Sequence, residues 1–154
     1  LIARDNFTPT GGSWGSNDPA DVYVRASRGS STQALSSGST LVFNSEDRDN
    51  RAAYDSTTGT FTAPMTGVYR VSVALVITAA SGLVASFAEI RRGATVIGYV
   101  PLVAVSGAIS LGAATVDVSM TAADTLTVVL ANPFTGTTPV LAINQSWLNV
   151  SLLG

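Results

Sequence analysis

The stretch YDSTTGTFTAPMTGVYRVSVAL, residues 54–75, combines turn residues, a proline and an alternating strand in one short run. From residue 68 to residue 78, large apolar side chains recur at every second position. Successive side chains of a β-strand point to opposite faces of the sheet, so this series predicts a strand with one face buried in a core. The series consists of Tyr69, Val71, Val73, Leu75 and Ile77.

The opposite face of this predicted strand is unusual for a surface that faces water. Its side chains are mostly small and mildly apolar: Val68, Arg70, Ser72, Ala74, Val76 and Thr78. We expect such a face to allow close approach by another subunit. An ordinary Ser- and Thr-rich outer face in contact with solvent is the alternative.

Short β-rich runs recur along the rest of the chain, and turn signals such as STTG, RRGA and NPFTGTTP separate them. The runs cover residues 21–26, 39–43, 59–63, 68–78, 84–92, 95–100, 113–121, 125–131 and 144–153. No long window keeps the period of about 3.6 residues that indicates an amphipathic helix. The pattern predicts an all-β sandwich or barrel.

The composition indicates a single domain that associates with copies of itself. The chain has 154 residues, of which 46% are hydrophobic and only 12% are charged. That charged share is about half of what is usual in soluble domains. No apolar run reaches the length of about 18 residues that a membrane helix needs, so we expect no membrane insertion. A domain this apolar is expected to expose association surfaces, which predicts a homo-oligomer.

Several residue types that carry chemistry are missing. The chain has no Cys and no His, and all eight of its basic residues are Arg. These absences exclude a Ser-His-Asp triad, a Cys-His pair, a thiolate or imidazole metal site, a lysine Schiff base and a Walker-type phosphate loop. A net charge of -2 and an isoelectric point near 4.8 argue against a nucleic-acid partner.

The opening stretch resembles the signature of the C1q/TNF-like jelly-roll domains: a Tyr-Asp turn, Gly-x-Phe, a Pro, and a Gly-x-Tyr that opens a long central strand. The matching residues are Tyr54, Asp55, Gly59, Phe61, Pro64, Gly67 and Tyr69. Downstream, residues 116–130 and 146–153 are similar to later strands of the family. The chain departs from the family pattern at Arg70, Ala123 and Asn149, where the family has an aromatic residue and two glycines.

The resemblance implies a ten-strand jelly-roll sandwich over residues 21–154. It also implies a homotrimer that forms through the sheet containing the long central strand, commonly at the end of a fibrous stalk. Residues 1–20 are rich in Gly, Pro, Asn and Asp, and they predict an arm or linker. Because the chain opens with Leu1 rather than Met, we expect this arm to come from an upstream region.

The chain has no Gly-x-y repeat and no Lys, which favours a viral setting over an animal one. We therefore predict a non-enzymatic, trimeric tip of a phage fibre or tail, or a capsid decoration protein, on the virion surface. Its expected partners are other virion proteins, through the upstream region, and a host receptor or glycan. A secreted recognition or signalling domain of the complement/TNF type is the first alternative, and a glycosidase that uses only carboxylates is the second.

Candidate sites are few, and no catalytic, cofactor or metal site is predicted. The acids Glu46, Asp47 and Asp49 lie in a predicted loop at 44–51, where they either hold Ca²⁺ or pair with neighbouring Arg side chains. Loops at 78–85 and 131–140 are the candidates for recognition, with Phe134 as the most prominent side chain. A carboxylate-based enzyme would have to use Glu46, Glu89, Asp117 and Asp124.

Overall fold

The computed structural model describes residues 21–78, 86–106, 109–131 and 140–153, and the regular structure in these ranges is entirely β-strand. No helix in these ranges is long and apolar enough to cross a membrane. The strands are β1 (Tyr23–Ser27), β2 (Gln33–Ala34), β3 (Ser45–Asp49), β4 (Tyr54–Asp55), β5 (Thr60–Thr62), β6 (Gly67–Thr78), β7 (Ser86–Arg92), β8 (Thr95–Ser106), β9 (Ile109–Met120), β10 (Thr125–Leu130), β11 (Val140–Leu141) and β12 (Trp147–Leu152).

The strands form two antiparallel sheets that share the long strand β8. The first sheet has the order β3-β1-β12-β6-β9 and continues into the second half of β8. The second sheet runs from the first half of β8 through β7, β10 and β5 to β4. The main hydrogen-bonded path contains ten strands, and the two-residue strands β2 and β11 lie off it. The predicted ten-strand, all-β jelly roll is therefore confirmed.

The core lies between the sheets and includes the predicted inner face of β6. All five large apolar side chains of that face, from Tyr69 to Ile77, are at most 1% exposed. The Tyr69 ring packs edge-on against Phe61, with ring centroids 5.6 Å apart, and its hydroxyl donates to the Met65 carbonyl oxygen at 2.6 Å. Burial of each such side chain contributes about 1.5–3 kcal/mol.

Two local predictions are wrong. Residues 39–43 were expected to form a strand, but they run beside β10 with a single ladder bridge, Thr40 to Val129. The Val42 backbone is hydrogen bonded by side chains instead of by a second strand. Gln33 Oε1 accepts from the Val42 amide at 2.8 Å, and Arg28 Nη1 donates to the Val42 carbonyl at 2.9 Å. Conversely, residues 44–51 were expected to form a loop, but Ser45–Asp49 form β3, the edge strand of the first sheet, because their backbone pairs with β1.

The turn that follows β4 depends on the signature residues Asp55 and Gly59. Asp55 Oδ1 accepts from the Thr57 amide at 2.8 Å, and Asp55 Oδ2 accepts from the Thr58 hydroxyl at 2.9 Å. These hydrogen bonds lower the pKa of Asp55. Gly59 closes the turn with a φ of 75°, and a Cβ there would lie 2.8 Å from the Leu41 carbonyl oxygen. The position therefore requires glycine for both its backbone conformation and its space.

We predict that Gly59→Ala destabilises the domain more than Gly93→Ala. Gly93 also has a positive φ, 55°, but an added Cβ would meet nothing within 4 Å. Gly93→Ala should therefore lose only the conformational term, about 1–2 kcal/mol, whereas Gly59→Ala adds a backbone clash to it. Urea unfolding at one protein concentration measures both changes. Equal losses in the two variants would contradict the close packing of Gly59 on Leu41.

Tyr54, the first residue of the signature, hydrogen bonds to a backbone amide that is not paired with a strand. Its side chain is buried, and its hydroxyl accepts a hydrogen bond from the Phe43 amide at 3.0 Å. Burial raises the pKa of Tyr54 well above the usual tyrosine range. The hydroxyl thus satisfies a buried backbone donor that no strand reaches.

We predict that Tyr54→Phe lowers the free energy of unfolding at neutral pH by about 1–3 kcal/mol, because the Phe43 amide loses its partner. In the wild type, the raised folded-state pKa means that this group's contribution is complete below about pH 10 and is lost as the pH rises above it. The variant should therefore lose part of the alkaline decline of the unfolding midpoint. Tyr23→Phe is the control, because Tyr23 lies on β1 and is only partly buried. An alkaline decline equal to that of the wild type would contradict the assignment.

Candidate association surface

The outward side chains of β6 and β9 form a continuous surface, which we call the central face. The two strands pair along their whole lengths, with twelve residue pairs and no bulge. Because inward and outward positions alternate on both strands, the outward residues stand opposite one another in rows. The rows are Val68–Ser119, Arg70–Asp117, Ser72–Thr115, Ala74–Ala113 and Val76–Leu111. The sequence prediction of which β6 residues face outward is confirmed.

One half of the central face is apolar. Ala74, Ala113, Val76 and Leu111 lie there beside the end of β8, where Val103 is 64% exposed. A cleft of about 440 Å³ opens between these strands. Its lining is Ala74, Leu75, Val76, Pro101, Val103, Leu111, Gly112, Ala113 and Gln145. Exposed apolar side chains that cluster in this way make this half of the face a candidate interaction surface.

Gly112 allows β8 to lie close to β9 at the edge of this cleft. A Cβ at Gly112 would collide with the Pro101 carbonyl oxygen and would lie 2.9 Å from Leu102 Cδ2. The absence of a side chain at this position lets β8 pass close to β9 where it crosses from the second sheet to the first. The crossing therefore shapes the cleft.

The other half of the central face is polar. Arg70 binds Asp117 in a bidentate pair, with Nε to Oδ1 and Nη2 to Oδ2 both at 2.9 Å. This pairing lowers the pKa of Asp117 and raises that of Arg70. In the next row, the hydroxyls of Ser72 and Thr115 are hydrogen bonded at 3.0 Å. Sequence analysis missed the ion pair because it could assign each residue to an outward position but could not read the register between the strands.

Asn149 adds a third polar group beside these rows. It lies on β12 directly opposite Ser72, and it points outward because its neighbours Leu148 and Val150 are buried. Its carboxamide oxygen is buried and has no hydrogen-bond partner in the described part of the chain. A buried polar atom without a partner is uncommon in folded proteins. Asn149 is also one of the positions where the chain departs from the family pattern.

The acidic residues of β3 have structural contacts. Asp47 lies 3.4 Å from Arg25 Nε. The two oxygens of Asp49 accept from the backbone amides of Arg51 and Tyr54, at 3.1 and 2.8 Å, and so fix the connection to β4. Within the described ranges, no group of three or more acidic side chains is placed to hold a metal ion. The contacts match the ion-pair alternative for Asp47, although its partner comes from β1 rather than from a neighbouring Arg.

The four candidate carboxylates of an enzyme occupy separate elements. Glu46 lies on β3, and Glu89 lies on β7, where it pairs with Arg91 Nε at 2.7 Å. Asp117 binds Arg70 on the central face, and Asp124 Oδ2 accepts from the Thr121 amide at 2.9 Å in the turn before β10. Three of the four therefore have a local ion-pair or turn-stabilising contact.

The two loops that were predicted to bind a partner cannot be placed in this surface. Residues 79–85 and 132–139, including Phe134, lie outside the described residues, as does the predicted arm at 1–20. The recognition role of these loops stays a prediction, and so does the role of the arm.

Comparisons with known proteins agree with the fold. A family model for the C1q domain matches residues 24–99. The chain is similar to the globular domain of zebrafish complement 1qA protein, with a TM-score of 0.62 and 14% identity over 88% of this chain and 98% of that one. It is also similar to murine APRIL, with a TM-score of 0.60 and 9% identity over 86% and 99%. The chain is similar as well to the Eiger TNF from S. frugiperda, with a TM-score of 0.60 and 15% identity over 87% of this chain and 92% of that one.

A search of curated proteins found no match. At these identities the similar structures show the fold alone, so the predicted C1q/TNF-like jelly roll is confirmed. Nothing in these comparisons indicates a bacteriophage origin, and the predicted phage setting receives no support from them.

Proposed function

We propose that this chain is a non-enzymatic recognition domain of the C1q/TNF type, and that it acts as a homotrimer whose subunits meet through the central face. The observation that supports this most directly is the apolar half of that face. Val103 and Leu111 are 64% and 42% exposed in a single chain, and they border an open cleft. Covering them with a second copy would remove this apolar surface from water.

The shape of the face suits another copy of the same chain. Ala74 and Ala113 stand opposite each other in its middle, and their small side chains let a neighbouring subunit approach closely. The face also bears both signs of charge, at Arg70 and Asp117, so an identical surface can match it electrostatically. The number of three subunits comes from the resemblance to the C1q/TNF-like domains.

Chemistry on the described surface has little support. The sequence lacks His, Cys and Lys, and Asp117, the acid on the central face, is engaged by Arg70. Recognition by the parts of each subunit that lie away from the central face is the simpler role for such a domain. The partner would be a protein or a glycan.

The setting that we propose is extracellular. The names of the similar structures, a complement protein and TNF-type ligands, favour a secreted recognition or signalling domain over the tip of a phage fibre. A virion surface, with virion proteins and a host receptor as partners, stays a prediction that no comparison supports. A Gly-x-y or fibre repeat upstream of this domain would distinguish the two settings.

We predict that Ala74→Arg dissociates the oligomer. The new side chain would place a large charged group where two subunits approach closely, and desolvating an unpaired charge is costly. Thr125→Arg is the matched control, because Thr125 is exposed on β10 in the second sheet and away from the central face. Light scattering measures the mass of each variant. An Ala74→Arg chain that keeps the mass of the wild type would overturn the proposed subunit contact.

A further inference from the structure

We infer that the polar half of the central face selects copies of the same chain: Arg70 of each subunit pairs with Asp117 of the next subunit in the trimer. This inference rests on the proposed function, because it needs a trimer that forms through the central face. It assigns the two halves of the face different tasks. The apolar half supplies affinity, and the charged row decides which chains assemble.

The Arg70–Asp117 ion pair has little structural role in a single chain. Arg70 and Asp117 are 51% and 44% exposed, and exposed ion pairs of this kind contribute little to the stability of a folded domain. They form the second of the five rows, and the other rows are apolar or carry hydroxyl groups. If a second subunit covers that face, both charges lose water and must find matched partners.

The pair retains hydrogen-bonding capacity for a second subunit. Arg70 uses two of its five N–H donors on Asp117, and each Asp117 oxygen accepts one of these bonds. A guanidinium and a carboxylate in this arrangement can therefore each hold one partner within the chain and another across a contact. In a closed ring of identical subunits, every Arg70 can meet an Asp117 of its neighbour.

Asn149 lies beside the charged row on a different strand. Its buried carboxamide oxygen lacks a partner, and it lies next to the Ser72–Thr115 row that borders the ion pair. In a single chain this polar region is thus incompletely hydrogen bonded. Because this oxygen is already buried in the single chain, a second subunit does not reach it, and the inference is carried by the exposed Arg70–Asp117 row.

The charge arrangement makes a sharp test possible with the doubly reversed chain Arg70→Asp/Asp117→Arg. Within each subunit this chain keeps an ion pair, and a trimer of reversed chains keeps every contact between subunits. In a mixed trimer of wild-type and reversed chains, one contact brings Arg against Arg and another brings Asp against Asp. Mixed trimers should therefore be rare, whereas each chain alone should form trimers.

The two chains would be given different mass tags, unfolded and refolded together, and their trimers counted by native mass spectrometry. We expect mixed trimers to fall at least about tenfold below the share from random mixing, since like-charge contacts across an interface cost several kcal/mol. The matched control is Arg25→Asp/Asp47→Arg, which reverses a similarly exposed pair at the β1–β3 edge of the same sheet. It should mix with wild type at random.

The outcomes separate the inference from the proposed function. Random mixing of the Arg70→Asp/Asp117→Arg chain with wild type would overturn the inference and leave the trimer intact. A reversed chain that folds but stays monomeric would overturn it as well, because that chain retains all of the proposed contacts. A wild-type chain that is monomeric on its own would instead refute the proposed function.

Discussion

The pairing of β6 with its neighbours is the constraint on which the rest of the structure depends. β6 runs along the middle of its sheet, with β9 paired to it over twelve residues and β12 over six. Its inner side chains are buried in the core, while none of the described residues form a second layer over its outer side chains. Because a strand presents both faces at once, the residues that bury one face also fix the positions on the other. The backbone positions of the central face are therefore fixed by the packing of the core behind it.

The small side chains in the middle of the face also suit the proposed assembly. An association surface built on flexible side chains loses conformational entropy when it binds, whereas the short side chains of Ala74 and Ala113 have almost none to lose. The cleft beside them depends in turn on Gly112, which lets β8 cross between the sheets at close range. The signature turn at Asp55 and Gly59 lies at the opposite side of the sandwich, where it anchors the segment around Leu41. One short stretch and its neighbours thus contain both the residues that pack the fold and the residues of the proposed subunit contact.

Much of this fold follows from local sequence patterns, and the rest depends on information that such patterns do not contain. The alternation from Tyr69 to Ile77 predicts both faces of β6 because a side-chain period of two has only one structural interpretation. The strand β3 escapes prediction because its polar sequence is stabilised by pairing with β1 rather than by burial. The Arg70–Asp117 pair could not be predicted from the sequence, because the register between distant strands depends on the tertiary structure. Sequence patterns do not predict the biological setting, because the same jelly-roll fold serves many functions.

The central claim is that other copies of the chain cover the outer face of β6 and β9. The chain contains no Cys, so Ala113→Cys would place a single thiol on that face, and Thr125→Cys would place one on the second sheet. The rate of thiol alkylation over a dilution series tests the claim most directly. We expect the thiol at position 113 to be protected at high protein concentration and to become reactive on dilution, while the thiol at position 125 reacts at one rate throughout. Equal and concentration-independent rates at the two positions would contradict the account.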